Sequence, residues 1–512
     1  MYLIDASRVI RHHRAIPADG IALFKLRGTA LIAFPFVSFL LGVITLGVAI
    51  LLLAPCILAW QLGSPDRYAF LISEAVTASF SLALILFNRN AAHKLNVREV
   101  FLLTVSSWFA VCLFGALPFI LSHTVTDFSD AIFESVSAVT TTGATVLTQL
   151  DSLPKDILLW RSMMQWVGGL GIVALGAAIL PFLRIGGMRL FRAESSDFSE
   201  KALPHTRRFL LQLLLVYFVI SLLCAVAYVL AGMSVFDAIN HAMTTVSTGG
   251  FSTHDSSIAF FNSPSIEAVA IVFMLLASAP FVLYLPILAG NILKIRPDSQ
   301  VMSMLRAYLA VVVLLLVWLI ATDQAGLAHA FRDALFSVVS IATTTGYVST
   351  DYTAWGHFAI AVFFFLTFVG GCSGSTAGGI KIFRFKIAYI MFRETIQRLL
   401  HPNAIFSRSI NGRPLTDDTV ASVSAFALAF ACTVGVVAIL LAAAGNDFVT
   451  SFSAAATATA NVGPGIGDVV GPASNFSSIN DASKWIMCVA MLLGRLEIFT
   501  LLILLTPDFW RS

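Results

Sequence analysis

The sequence predicts an all-α integral membrane protein: four pseudo-symmetric helix–pore loop–helix units around one central pore, preceded by two further transmembrane helices. Hydrophobic residues make up 58% of the 512 residues and charged residues 12%, which is about half the charged share of a soluble domain. Apolar runs of the roughly 20 residues that cross a bilayer recur along the chain. Four of the connections between these runs repeat one pattern.

Ten segments are apolar and long enough to span a membrane, and several are long enough to tilt or bend. They lie at residues 29–59, 68–88, 99–122, 157–183, 208–232, 264–293, 305–322, 356–386, 419–444 and 483–507. Residues 1–28 are charged, and the apolar run after them is too long for a signal-peptide core, so we expect an uncleaved spanning helix. Basic residues collect in cytoplasmic connections. The basic stretches 8–27, 184–208 and 381–398 therefore place both termini in the cytoplasm.

The connections after the third, fifth, seventh and ninth segments share one register. Each begins with a residue type that caps helices, continues for about a dozen residues of helical sequence, and stops at small residues and glycine. The expected caps are Asp130, Asp237, Asp333 and Thr450, each 13 residues before a glycine. The loops end Thr140-Thr141-Thr142-Gly143, Ser247-Thr248-Gly249-Gly250, Thr343-Thr344-Thr345-Gly346 and Ala460-Asn461-Val462-Gly463. A single such loop could be a simple chain reversal, but four in register indicate an internal repeat.

The repeat divides the chain into five parts. Residues 1–98 hold the cytoplasmic N-terminus and the two extra helices, 99–206 form unit 1, 207–304 unit 2, 305–416 unit 3 and 417–512 unit 4. A helix of about a dozen residues reaches only partway across a bilayer. Each loop that follows is then irregular backbone at membrane depth, which is tolerated where it is buried in protein or lines a watery cavity.

Glycine loops at that depth are typical of an ion filter. A cation that has lost its water needs oxygen ligands on all sides, and a ring of backbone carbonyls supplies them. Glycine reaches the backbone angles that aim successive carbonyls at one axis. Acidic residues such as Asp127, Asp151 and Asp255 dominate the outer connections. This would concentrate cations, although inner-membrane proteins commonly lack outer lysine and arginine.

Two features inside the predicted segments are unusual for a membrane-spanning helix. The eighth segment contains Gly370-Gly371-Cys372-Ser373-Gly374-Ser375-Thr376-Ala377-Gly378-Gly379. Each glycine costs a helix roughly 1 kcal/mol relative to alanine, so we expect a buried loop lining a cavity, with close helix packing as the alternative. Arg495 lies near the middle of the last segment, where a charge is costly and usually faces a cavity or a partner. A salt bridge to a distant carboxylate is the alternative.

These motifs resemble those of the Trk/Ktr/HKT superfamily of potassium transporters. The resemblance covers nearly the whole chain and includes the first filter motif, Gly249-Gly250-Phe251-Ser252-Thr253-His254-Asp255, Asn461-Val462-Gly463-Pro464-Gly465 and Gly494-Arg495-Leu496-Glu497-Ile498-Phe499-Thr500. It implies one filter glycine in each unit. The implied potassium-binding residues are Thr141, Thr142, Gly143, Gly249, Gly250, Thr344, Thr345, Gly346, Asn461, Val462 and Gly463. The implied gating residues are Gly370, Gly371, Ser373, Gly374, Ser375, Thr376, Gly378, Gly379 and Arg495.

The resemblance implies potassium uptake across the bacterial inner membrane through a channel-like, glycine-lined filter gated by an intramembrane loop. Plant relatives that favour sodium carry serine at the first filter glycine, so Gly143 favours potassium. A proton- or sodium-coupled symporter is the alternative, because carriers also break helices at glycine-rich points. Sequence signatures of enzymes such as HExxH, GxSxG, Walker and Rossmann motifs are absent, so we expect no enzymatic activity.

The expected ligands and partners are few. Potassium is the expected bound ion, with no organic cofactor and no nucleic acid. Residues 381–401 read as a basic amphipathic helix, which suits a membrane lipid surface or a cytosolic regulator. The resemblance implies a homodimer and the nucleotide-binding regulator TrkA.

Overall fold

A computed structural model describes residues 32–91, 95–122, 124–125, 127–179, 202–288, 290, 298–323, 326–404, 408–410 and 413–511. The basic stretch 8–27 and most of the basic stretch 184–208 lie outside the described residues. So do the ends of the predicted segments at 29–59, 157–183 and 264–293.

Seven helices of the described residues are long and apolar enough to cross a membrane. They are Phe34–Leu62, Arg67–Asn88, Val97–Leu121, Lys155–Ile179, Ala202–Leu230, Ser299–Ala321 and Asp417–Ala443. They match seven of the ten predicted segments and confirm an all-α membrane fold. We call Lys155–Ile179 the strut helix.

The three other predicted segments are all broken. Residues 356–386 form the helix His357–Leu366, a loop, and the start of the helix Ile382–Leu400, in keeping with the glycine-rich sequence between them. The other two breaks were not predicted. Pro264–Ser278 meets Phe281–Ile287 at 103°, and Asp481–Arg495 meets Phe499–Leu505 at 104°. Pro280 lies in the first bend and has no N–H to continue a helix.

Four shorter helices, the pore helices 1 to 4, precede the glycine loops. They are Phe128–Val139, Val235–Val246, Leu327–Ala342 and Phe448–Ala460. The remaining short elements are Leu150–Ser152, Ser257–Phe261, Phe281–Tyr284, Leu285–Leu288, Tyr352–Trp355, Phe476–Ser478, Phe499–Leu502, Ile503–Leu505 and Pro507–Trp510, with a two-stranded hairpin of Ser409–Ile410 and Arg413–Pro414.

The expected capping residues were wrong. A cap stands just outside the helix and its side chain accepts a backbone N–H from two or three residues on. Asp127, Ser234 and Asp447 do this for pore helices 1, 2 and 4, and Gly326 precedes pore helix 3 without a side-chain cap. The residues expected as caps lie inside the helices: Asp130, Asp237 and Thr450 three positions after the cap, and Asp333 deeper still.

The four units are arranged in a ring. In each unit the helix that follows the glycine loop packs against the pore helix of the next unit. The strut helix contacts pore helix 2, Pro264–Ser278 contacts pore helix 3, and Asp481–Arg495 returns to pore helix 1. Phe364 and Phe452, whose ring centroids are 6.0 Å apart, join unit 3 to pore helix 4. The two N-terminal helices pack on each other and on unit 1.

Candidate ion pore

The four loops after the pore helices, residues 140–143, 247–250, 343–346 and 460–463, have the same backbone. We call them filter loops 1 to 4. The second residue of each has a left-handed φ, and so has the glycine two positions later. The φ values are 51° at Thr141, 52° at Thr248, 58° at Thr344 and 55° at Asn461, then 84° at Gly143, 76° at Gly250, 78° at Gly346 and 104° at Gly463. A positive φ is uncommon outside glycine, so this recurrence extends the sequence repeat to the backbone.

Each filter glycine lies beside the filter loop of the following unit, so the contacts run in cyclic order around the four units. A methyl group added to each glycine would meet the carbonyl oxygen of the residue that precedes the next unit's glycine. The pairs are Gly143 with Gly249, Gly250 with Thr345, Gly346 with Val462, and Gly463 with Thr142 at 2.8 Å. The last pair returns to unit 1 and closes the ring. Glycine is required here both by the positive φ and by the carbonyl beside it.

Every predicted filter residue lies in one of the four filter loops, and all but Thr141, Thr344 and Asn461 take part in these ring contacts. Sequence reasoning missed Thr248, which occupies in unit 2 the position of Thr141 in unit 1. The signal was present, since it too stands two residues before a filter glycine; the paired glycines of this loop obscured it.

Hydrogen bonds of hydroxyl and amide groups stabilise the filter loops. Thr140 and Thr142 share a hydrogen bond of 2.8 Å, and Thr343 and Thr345 repeat it in unit 3 at the same length. The amide of Asn461 donates to the Thr142 hydroxyl at 2.9 Å, which joins unit 4 to unit 1. These hydroxyls are fully buried, so they brace the loops rather than face bulk water.

The strut helix contributes two buried side chains that sequence reasoning did not single out. Arg161 is 1% exposed, and its Nε donates to Oε1 of Glu134 on pore helix 1 at 2.7 Å. One turn further along, Gln165 donates from Nε2 to the carbonyl oxygen of Gly249 at 2.7 Å and accepts from Phe251 N–H at 3.1 Å. Both contacts join residues distant in sequence, so no local pattern indicates them.

The glycine loop, residues 370–379, lies against the C-terminal ends of three pore helices. Its backbone or side chains make one hydrogen bond to the last residue of pore helix 2, one to filter loop 3 and one to the last residue of pore helix 4. The bonds run from Gly378 N–H to Thr344 Oγ1 at 2.6 Å, from Gly379 N–H to Ala460 O at 2.8 Å, and from Thr376 Oγ1 to Val246 O at 3.1 Å. A methyl group on Gly378 would overlap the carbonyl oxygen of Ala460. The loop is therefore docked directly against filter loops 3 and 4.

The other predicted gating residues also make backbone contacts in this loop. Ser375 Oγ donates to Cys372 O at 2.7 Å, Gly374 O accepts from Phe281 N–H at 3.1 Å, Gly370 N–H donates to Ile380 O at 3.0 Å, Ser373 N–H donates to Gln300 Oε1 at 3.3 Å, and Gly371 packs against Ser278. The loop is thus anchored to the bent segment that begins with Pro264–Ser278 as well as to the filter.

Arg495 ends the helix Asp481–Arg495 and reaches the glycine loop. Its side chain is 3% exposed, and Nη1 donates to the carbonyl oxygen of Thr376 at 2.9 Å. Within the described residues, its Nε and Nη2 have no hydrogen-bond partner and no carboxylate pairs with it. Glu497 pairs instead with Arg384 at 3.0 Å. A buried cation therefore stands beside the loop with part of its hydrogen-bonding capacity unused.

Lys381, from the basic stretch 381–398, is a second basic side chain beside the loop, a position that the sequence did not indicate. Its ammonium group donates to the carbonyl oxygen of Ala377. Gly494 lets the helix that carries Arg495 approach the end of pore helix 4, because a methyl group there would overlap the carbonyl oxygen of Thr459.

A histidine joins units 1 and 2 on the side predicted to be extracellular. His254 pairs through Nδ1 with Asp151, lies 3.6 Å through Nε2 from Asp237, and stacks on Phe260. Burial lowers the pKa of His254, but the two carboxylates, Asp237 before Asp151, outweigh it and raise the pKa above the ordinary 6.5. The hydrogen bond from His254 in turn lowers the pKa of Asp151. Protonation of the imidazole therefore strengthens the contacts of His254 with the two carboxylates.

Comparison with known proteins identifies the family. Residues 67–511 match the model of the TrkH family, described as cation transport protein. The chain belongs to the TrkH family. This confirms the resemblance found in the sequence motifs. It also places the chain among multi-span membrane transport proteins, a class without enzymatic function.

Two TrkH-family relatives illustrate the similarity. The chain is 44% identical over 473 residues to the Trk system potassium uptake protein TrkI of Halomonas elongata, covering 92% of this chain and 96% of that protein. It is 41% identical over 433 residues to the Trk system potassium uptake protein TrkH of Vibrio parahaemolyticus, covering 83% and 88%. The crystal structure of the potassium transporter TrkH from Vibrio parahaemolyticus superposes with a TM-score of 0.86 at 35% identity, covering 93% of this chain and all of that one.

Proposed function

We propose that this protein takes up potassium across the bacterial inner membrane through a channel-like filter formed by the four filter loops. The closed ring of glycine–carbonyl pairs carries the proposal, because it brings backbone from all four units to one axis. The carbonyl oxygens of such a ring can replace the water shell of a cation. Potassium is the proposed ion because the relatives named above are potassium uptake proteins and because filter loop 1 keeps Gly143.

The glycine loop is the proposed gate. It is docked against the ends of pore helices 2, 3 and 4 by a few hydrogen bonds, and its glycines allow the backbone to change conformation. Arg495 holds the loop through Thr376. Its positive charge would repel a cation waiting at the loop while the loop is docked. Movement of the loop away from the filter then opens the path.

A proton- or sodium-coupled symporter is the second candidate. The two sharply bent helix pairs, at 103° and 104°, favour it because broken helices are common in coupled carriers. The four units, however, repeat one order of helix, pore helix, loop and helix along the chain, whereas many such carriers contain inverted repeats. The channel-like mechanism is therefore the one we prefer.

The same proposal includes the orientation of the protein, its contact with lipid and its partners. Both termini are cytoplasmic, in line with the basic stretches of the sequence. The helix Ile382–Leu400 exposes Phe385, Tyr389, Phe392 and Leu399, an apolar stripe that suits membrane lipid. Homodimer formation and regulation by TrkA are proposed from the family resemblance.

Ion flux into liposomes tests the proposed function. Purified protein should carry potassium and rubidium faster than sodium and lithium, because the ring of carbonyls fits the larger ions. In a planar bilayer, unitary currents should reverse at the potassium equilibrium potential. Equal sodium and potassium fluxes would contradict the selectivity, and a fixed coupling ratio to protons or sodium would favour the symporter.

A further inference from the structure

The four filter loops are not held in the same way, and the difference lies in the strut helix. Filter loop 2 has glycine at position 249, whereas the equivalent positions of the other units carry the side chains of Thr142, Thr345 and Val462. A methyl group on Gly249 would overlap the side chain of Gln165. The Gln165 amide therefore occupies the space of a side chain that filter loop 2 lacks.

Gln165 also binds the backbone on both sides of the filter glycine of unit 2. Gly249 O can only accept and Phe251 N–H can only donate, so the two partners fix the orientation of the amide. Of the four carbonyl oxygens in the ring, that of Gly249 alone accepts a side-chain hydrogen bond within the described residues. Such a bond orients this oxygen and withdraws electron density from it.

The Glu134–Arg161 ion pair extends this support to both filter loops that flank the strut helix. Glu134 is fully buried, and its carboxylate accepts from Val146 N–H at 3.0 Å, three residues beyond the filter glycine of unit 1. Arg161 donates to Ser252 O at 3.1 Å, two residues beyond that of unit 2. Its guanidinium lies 4.1 Å from the ring centroid of Phe251.

The strut helix presents all of these contacts on one face. Positions 161, 165, 168 and 169 follow helical spacing. Gly168 lies against Val139 O, at the end of pore helix 1, and Gly169 lies against Ser247 in filter loop 2. One helix thus sets the positions of filter loops 1 and 2 together.

We propose that Gln165 and the Glu134–Arg161 pair are positioning residues that set the discrimination of the filter between potassium and sodium. They hold the carbonyls of units 1 and 2 apart at a fixed distance, so the ring cannot contract around a smaller ion. This inference rests on the proposed function and adds to it the residues that make the ring stiff. It makes the filter asymmetric: units 1 and 2 are held by buried polar side chains of the strut helix, and units 3 and 4 by contacts with the glycine loop and neighbouring hydroxyls.

The test is the permeability ratio of potassium over sodium, measured from reversal potentials of the full-length protein in planar bilayers. Gln165→Met keeps the volume of the side chain and removes both hydrogen bonds. We expect its ratio to fall about threefold to tenfold, the effect of losing one or two hydrogen bonds in one ion-binding state. Gln165→Asn keeps the amide on a side chain one methylene shorter and should give a smaller fall than Gln165→Met.

The ion pair is tested by a neutral double variant, Glu134→Gln with Arg161→Met, because removing one partner alone would leave a buried charge unpaired. It should also lower the ratio. The matched control is Glu267→Gln with Arg332→Met. That pair is bidentate, at 2.7 and 2.8 Å, and joins Pro264–Ser278 to pore helix 3; among the residues that the structure describes, it makes no hydrogen bond to a filter loop. The control should lower the thermal midpoint and leave the ratio unchanged.

The outcomes separate the two proposals. Unchanged ratios in both Gln165 variants and in the Glu134/Arg161 double variant, with wild-type protein selective for potassium, would overturn this inference and leave the proposed function standing. A similar fall of the permeability ratio in the Glu267/Arg332 control variant would also overturn the inference, because it would show that any weakening of the packing lowers the ratio. Wild-type protein without potassium selectivity would instead overturn the proposed function.

Discussion

The Arg495 side chain offers the sharpest test of the gate, because a single hydrogen bond joins it to the glycine loop. Arg495→Met keeps most of the side-chain length and removes both the charge and the bond to Thr376 O, 2.9 Å long in the docked state. A hydrogen bond from a charged donor contributes about 1.5–3 kcal/mol. If the bond exists only while the loop is docked, its loss shifts the ratio of docked to undocked loop by about 10- to 150-fold.

Rubidium uptake into liposomes measures this shift. The flux through Arg495→Met should rise until the open fraction saturates, while the ratio of potassium to sodium permeability stays constant, because the filter loops are not altered. Arg67→Met is the matched control. It also removes one arginine, from a guanidinium that lies over the rings of Trp60 and Tyr68 at 5.3 and 5.1 Å, far along the chain from the glycine loop. An Arg495→Met protein with wild-type flux and wild-type regulation would refute the gating role.

Three further substitutions test the filter, the gate and the contacts of His254 separately. Gly143→Ala places a methyl group against the carbonyl of the next unit at a φ of 84°, which costs at least about 1–2 kcal/mol; the permeability ratio of potassium over sodium should fall at least fivefold, and an unchanged ratio would contradict the ring. Gly378→Ala should weaken loop docking, since the methyl group meets a pore-helix carbonyl; rubidium flux should rise at constant permeability ratio, and a reduced flux would count against the gate. His254→Gln should abolish a pH dependence of thermal stability. The pKa of His254 is raised in the folded protein, so the stabilisation by Asp151 and Asp237 is complete below about pH 6.5 and is lost as the pH rises through the folded value. Melting curves in detergent from neutral to alkaline pH measure this, and parallel curves for wild-type and variant protein would show that these contacts contribute nothing.

The local sequence alone predicted most of the helices and the internal repeat. Apolar length predicted the spanning helices because a bilayer fixes the length of an element that crosses it. The residues of the filter loops were predicted because the backbone there depends on residue type: a glycine at positive φ in every unit. The caps were misplaced by three residues in units 1, 2 and 4 because Asp130, Asp237 and Thr450 are all residue types that also cap helices, and the helix dipole favours the two aspartates in the first turn.

Hydropathy did not predict the two bends at 103° and 104°, although Pro280 in the first bend is a helix-breaking residue. Both segments are predominantly apolar, and hydropathy measures only the total length of a segment. The bend after Arg495 passes through Glu497, which has a φ of 53°, an unusual conformation for that residue. Contacts to the rest of the chain, such as the Arg384–Glu497 pair, stabilise it there.

The length of a membrane span and the backbone conformation of a loop are properties of neighbouring residues, so the sequence alone predicted a four-unit membrane protein with a glycine in each filter loop. What those loops contact depends on the tertiary structure. The order of the ring, the contact of Gln165 with Gly249, 84 residues away, and that of Arg495 with Thr376, 119 residues away, depend on how distant segments pack. A hydrogen bond between such segments leaves no periodic signal in either one. The filter glycines could therefore be predicted from the sequence, whereas the side chains that hold them in place could not.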